Sequence, residues 1–219
     1  MVHAISDNRR GPGRPSGGGD RLRARLLRVA RDLFADRGVS ATSLRRIAGE
    51  AGSNPAMIHY YFGDKRGLAE AVLDTQIAPI VQSFARILDD ESVQEVARLE
   101  AFVQSYVETL SANPWLPALL MREVISESGT LGPMFLSRFA RHVSARLTRL
   151  LRNAQEKEAV RSNLDPRLAV LSLFGLALFP FLARPVARGA MGLDPITRPD
   201  LAQHVQAMLL RGIRSEVPA

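Results

Sequence analysis

Apolar side chains recur at three- and four-residue intervals along nearly the whole chain, with no alternating run long enough to propose a strand. Leu22, Leu26, Val29, Ala30, Leu33 and Phe34 form the first such stripe and predict a helix over 20–37, capped by Asp20 and ended by Gly38. Ser43, or Thr42 just before it, caps a short second helix through Leu44, Ile47, Ala48 and Ala51, and Gly52 is placed to stop it in a left-handed conformation. Asn54 and Pro55 then read as a fresh cap and first helical position, opening a third helix over 56–62 that Gly63 closes. So short a connection between the second and third helices is the tight turn of a helix-turn-helix.

Beyond Asp64, which can cap the next helix, the spacing predicts helices over 64–88, 92–112, 115–128, 131–157, 166–187 and 198–213. The longest apolar run, LAVLSLFGLALFPFLA, lies between Arg167 and Arg184; it contains Pro180 and falls short of the roughly 20 residues that span a bilayer. A run that is apolar on every side predicts a helix in the middle of a core rather than a membrane span. The fold class expected is therefore all-α. An arm over 1–19 precedes a three-helix helix-turn-helix domain over 20–66, followed by a helical domain over 67–219.

Charge sharpens this division. Residues 1–68 carry 13 Lys+Arg against 6 Asp+Glu, which is the whole of the net charge of +7, and the remaining residues are neutral in sum. A basic segment joined to an electroneutral body suits a nucleic-acid-binding module fused to a domain of another kind. An anionic membrane surface would attract the same charge, and a solvated face would explain it without a partner. The Gly, Pro, Ser and Arg of residues 1–19 cannot bury enough surface to order themselves. Within them Arg9, Arg10 and Arg14 stand in a Gly/Pro frame, as in hooks that enter a narrow minor groove; a disordered leader is the plainer alternative.

Several classes of chemistry are excluded or left without support. The chain has no Cys, which removes disulfides, thiolate nucleophiles and Cys-based metal sites. His3, His59, His142 and His204 lack metal-ligand spacing, and no Ser-His-Asp signature, P-loop or dinucleotide glycine pattern occurs. No enzyme activity, metal or cofactor is expected. The first residues lack the apolar stretch of a secretory leader, so a cytoplasmic protein is expected.

The segment TSLRRIAGEAGSNPAMIHYYFGDKRGL, Thr42 to Leu68, resembles the DNA-binding signature of the TetR family of bacterial transcriptional regulators. The match rests on apolar Ile47, small Ala48, Gly52 four residues later, the pair Ile58 and Phe62, and Lys65. Independently of the family, Ile58 and Phe62 must share the inward face of the third helix, which leaves Ala56, Met57, His59 and Tyr60 facing out. The first residues of a recognition helix approach base edges, which points to Asn54, Pro55, Ala56 and Met57. The resemblance implies phosphate contacts for His59, Tyr60 and Lys65, with Ser43 and Arg45 or Arg46 at the opposite wall of the groove. Tyr61 reads equally as packed or contacting. Arg46, His59 and Arg66 depart from the family's usual residues, which leaves the operator sequence open.

The resemblance also implies a C-terminal domain that dimerises through its last two helices, around 168–187 and 201–213, and encloses a small-molecule effector. Walls for such a pocket are sought among Phe102, Tyr106, Trp115, Met121, Phe135, Phe139 and Phe174, with Glu108, Arg122 and Glu123 as charged anchors or solvent-facing residues. The function expected is a homodimeric repressor that binds a palindromic double-stranded DNA operator and is released by its effector. An activator or an effector-independent DNA-binding protein is the alternative. Conformational change is expected to pass through the 64–88 helix.

Overall fold

The computed structural model describes residues 18–195 and 200–214, and these are helical with short connections and no extended strand. Three helices come first: α1 (Gly18–Arg37), α2 (Leu44–Glu50) and α3 (Pro55–Phe62). Leu26, Ala30, Phe34, Ile47, Ala48 and Ile58 all withdraw from solvent, so one face of α1 forms the floor on which the two short helices rest. The cap is Ser43, whose hydroxyl accepts from the Arg46 N–H. Thr42 is fully buried and instead donates to the Gly38 carbonyl at 2.7 Å, finishing the end of α1.

The stretch expected as one helix over 64–88 is a continuous helical path with a wider middle. It comprises α4 (Lys65–Val72), a π-helical segment (Leu73–Ile77) and α5 (Ala78–Leu88). Pro79 supplies the reason: it has no N–H for the Thr75 carbonyl, and its ring crowds that carbonyl in a regular α-turn. Further on lie α6 (Glu95–Ala112), α7 (Trp115–Leu119), α8 (Gly132–Phe135) and α9 (Arg141–Glu156), with π-helical segments at Leu120–Ile125 and Leu136–Ala140. Where α5, α6 and α9 meet, Lys157 hydrogen-bonds Glu95 at 2.6 Å and Arg98 donates to the Leu88 carbonyl at 3.1 Å. Lys157 holds the Glu95 carboxyl below its ordinary range.

The helix predicted over 166–187 is two. α10 (Pro166–Leu182) ends at Ala183, and α11 (Arg184–Met191) leaves it at 66°. Pro185 lacks the N–H that would reach back to Phe181, whereas Pro180 is accommodated inside α10. The expectation of an all-round buried helix is also corrected. Val170, Leu173, Ala177, Leu178 and Phe181 enter the core, but Leu168, Leu171 and Phe179 stand in solvent. No single helix among the described residues is long and apolar enough to cross a membrane. α12 (Leu201–Ile213) closes the body against α6 and α10.

Asp165 caps α10, accepting from the Arg167 N–H at 2.8 Å and from its guanidinium at 2.7 Å. These bonds favour the charged carboxylate and hold its pKa down at about 2. A carboxyl depressed in the folded state contributes stability above its unfolded pKa and loses that contribution as pH falls through the folded value. The cap should therefore persist well below pH 4 and fail only towards pH 2, with the Asp165 carboxyl carbon titrating near 2 in an NMR pH series.

Candidate nucleic-acid interface

The N-terminal three helices present one short helix outward. Asn54 caps α3 by accepting from the Met57 N–H at 3.2 Å, so its carbonyl oxygen is committed to the backbone while its amide NH2 remains a donor. Ile58 anchors the inward face with no exposure. Pro55, Ala56, His59 and Tyr60 lie on the open face, and Tyr60 is 78% exposed. The His59 ring accepts no proton at Nδ1 from Gly63, because that partner is a carbonyl oxygen; Nδ1 is the donor, and Nε2 is left for an outside group.

Met57 and Tyr61 stand less open than Ala56, His59 and Tyr60. Met57 is only partly exposed and packs against core residues, so it borders the open face rather than standing on it. Tyr61 is half-buried, edge-on to Tyr60 at 5.0 Å between ring centres, in the packed alternative. Phe62 is also half-buried, with the Arg23 guanidinium 5.3 Å from its ring centre. Ser43, Arg45 and Arg46 sit exposed at the start of α2, on the other side of the turn from α3, and Arg46 pairs with Glu50 at 2.9 Å. Arg14 and the other arginines of the basic arm lie outside the described residues, whereas residues 18–19, assigned to the arm, open α1.

Lys65, expected at a phosphate, is engaged by backbone in this structure. Its ammonium donates to the carbonyls of Val39, Ser40 and Thr42 at 2.9, 3.1 and 3.0 Å, which uses all three of its protons on the α1–α2 turn. Gly67, beside it, permits the tight α3–α4 junction, since a Cβ there would overlap the Phe62 carbonyl. Lys65 thus binds the turn that precedes α2 to the start of α4.

The aromatic residues sought as pocket walls fall into separate groups. Phe102, Tyr106 and Phe174 pack together with Phe84, which pattern reasoning overlooked, at 5.3–6.3 Å between ring centres. Burial pushes the Tyr106 hydroxyl well above a tyrosine's ordinary pKa. Phe135 and Phe139 pair with each other at 5.6 Å, and Trp115 lies under the Arg31 guanidinium at 4.8 Å. Met121 is 47% exposed and joins neither group of rings. Glu108 faces solvent beside Gln104, whereas Glu123 is buried and reaches the N-terminal helices.

Comparison with known proteins places these features together. Residues 26–72 match the family model described as bacterial regulatory proteins, tetR family, and residues 96–212 match the tetracyclin repressor-like C-terminal domain. An HTH-type transcriptional repressor of Mycobacterium tuberculosis, Rv3405c, is 28% identical over 199 residues, covering 89% of this chain and 90% of its own. The ketosteroid transcriptional regulator KstR2 of Mycobacterium tuberculosis superposes with a TM-score of 0.71 at 19% identity, over 89% of this chain and 95% of that one. FadR from Bacillus subtilis, solved in complex with stearoyl-CoA, superposes at 0.67 and 16% identity, over 87% and 99% of the two chains.

Lys65→Ala should lower the unfolding free energy by about 1–2 kcal/mol, because three carbonyls lose a charged donor. Thermal denaturation of the full chain checks this, and a melting temperature equal to wild type would return Lys65 to the role of a surface cation.

Proposed function

The chain belongs to the TetR family of bacterial regulatory proteins and is a DNA-binding transcriptional regulator, not an enzyme; from that premise we propose that it is a dimeric repressor released from a palindromic operator by a small-molecule effector. The observation that carries the reading is α3, an eight-residue helix capped by Asn54 whose outward face offers Pro55, Ala56, His59 and Tyr60. Ala56 contacts a thymine methyl, and the Asn54 amide reads a base edge or a phosphate. Tyr60, with Ser43, Arg45 and Arg46 across the turn, holds phosphates and sets register. The basic arm with Arg14 adds sequence-independent affinity. The 20–66 segment is then the reader and the remainder of the chain the effector and dimerisation body, working in the bacterial cytoplasm.

The exposed side of α10 supports the dimer. Leu168, Leu171, Gly175 and Phe179 follow one another at helical spacing, and Phe179 is 66% exposed. Gly175 and Phe179, with Leu176 beside them and His204 and Met208 of α12, border a shallow groove of about 390 Å³. A second copy, related by a two-fold axis, covers this self-complementary face with the same two helices and builds a four-helix bundle. Two recognition helices then meet half-sites about one helical turn apart. The effector acts by preferring a conformation in which that spacing is wrong, draining the DNA-competent population.

Selection from a randomised duplex library at physiological salt should enrich an inverted repeat. Tyr60→Ala should weaken binding to the enriched repeat and to unrelated duplexes alike, while leaving the unfolding free energy within about 0.5 kcal/mol of wild type. Binding that depends on salt alone, without any enriched sequence, would refute the specific reader and leave a non-specific DNA-binding protein. Phe179→Glu should convert the dimer to a folded monomer in sedimentation velocity and lose the preference for two half-sites over one.

A further inference from the structure

The turn between α1 and α2, residues 38–42, is held by side chains from distant parts of the chain. On one side Lys65 takes the carbonyls of Val39, Ser40 and Thr42. On the other, Glu123 arrives from the π-helical segment Leu120–Ile125, 3% exposed. Its Oε1 accepts the Val39 N–H at 2.8 Å, and its Oε2 accepts the N–H and the hydroxyl of Thr130 at 2.9 and 2.8 Å. Arg122, next to it, donates to the Ala35 carbonyl in the last turn of α1 at 3.2 Å. Gly38 has φ +87°, and a Cβ there would lie 2.8 Å from Glu123 Oε1, so the carboxylate is seated against backbone with no room for a side chain.

A buried carboxylate is costly to leave unpaired, and this one is satisfied only while the turn and the 123–130 loop stay in register. The turn leads directly into α2, and α2 shares its core with α3 through Ile47, Ala48 and Ile58. A displacement of the 120–125 segment therefore either drags the turn with it or breaks the Val39 bond. We propose that Glu123 is a positioning residue for DNA recognition, its carboxylate a latch that fixes the α1–α2 turn, and through it α3, to the helical body that follows. Release of the latch frees the recognition helix from its operator-reading position. The latch rests on the reading of this chain as a sequence-specific, effector-responsive DNA-binding protein.

The test uses the full chain as wild type, Glu123→Ala, Glu123→Gln and Thr130→Val, with the duplex that wild type enriches and a scrambled duplex of equal length. Hydrogen exchange over 38–42 should accelerate about tenfold or more in Glu123→Ala, the loss expected for a buried bond to a charged acceptor. Affinity for the enriched duplex should fall about fivefold or more, the lower range of coupling between sites, with affinity for the scrambled duplex unchanged. Glu123→Gln should lie between, because its amide oxygen can still take the Val39 N–H while its NH2 faces the Thr130 N–H. Thr130→Val removes one donor and should shift both readouts in the same direction; these two variants carry the test if Glu123→Ala does not fold. Faster exchange with unchanged operator affinity, or unchanged exchange, overturns the latch alone. A wild-type chain that enriches no duplex overturns the premise of a specific reader and the latch's role with it.

Discussion

A helix of eight residues does not hold itself together in water, and the whole recognition surface rests on the contacts that keep Pro55–Phe62 in place. Asn54 satisfies one orphan N–H at its start, and Ile58 gives it a single fully buried anchor. Its orientation comes from α2, which is shorter still, and the orientation of α2 comes from α1 and the turn at 38–42. Affinity for DNA in such an arrangement depends on rigidity inherited step by step from the long helix. The steps are buried apolar side chains and polar side chains bonded to backbone, among them Asn54, Lys65 and Glu123, while Tyr60 remains exposed.

The two ends of the molecule use apolar surface differently. In α1 the stripe is one-sided, with Leu26, Ala30 and Phe34 inward and charged residues such as Arg21, Arg25 and Arg28 outward. In α10 both sides are apolar, yet only one of them meets the core of the same chain. Leaving Leu168, Leu171 and Phe179 in water costs hydrophobic free energy that a lone monomer recovers from nothing, and contiguous exposed apolar surface of this kind marks an interaction site. The dimer proposed for this face removes that cost. Symmetry also sets two recognition helices at a fixed separation, which no single copy can do.

Much of the reader was legible in the order of residues, because its signals are local. Ser43, Gly52, Asn54, Pro55, Gly63 and Asp64 act within a few residues of themselves, and the caps at Ser43, Asn54 and Asp64 form as read. The Ile58 anchor and the exposure of Tyr60 follow from helical spacing alone. What stayed hidden depends on partners far away in the chain. Lys65 reads only as a phosphate-facing cation because the carbonyls that take its protons are 23 to 26 residues off. Glu123 reads as a solvent-facing or ligand-binding acid because its partner N–H is 84 residues away. The aromatic residues could not be sorted either, since apolar periodicity does not distinguish the tight Phe84–Phe102–Tyr106–Phe174 group from Trp115 against Arg31.

These long-range contacts add a second connection between the two parts of the chain to the expected one through the 64–88 path. Passage through the 64–88 path alone would put the coupling in a helix that is widened at Leu73–Ile77 and so is poorly suited to transmit a push as a straight rod. α1 is better placed. One face builds the core with α2, and along its other side Arg31 covers Trp115 at the start of α7 while Ala35 is held by Arg122. Both contacts come from α7 and the segment after it, the same stretch that carries Glu123 to Val39. A change in packing around α7 therefore reaches α1 along its length and the turn at its end together. The 64–88 path is joined to the same turn through Lys65, so the turn at 38–42 is where both connections between the two parts of the chain converge.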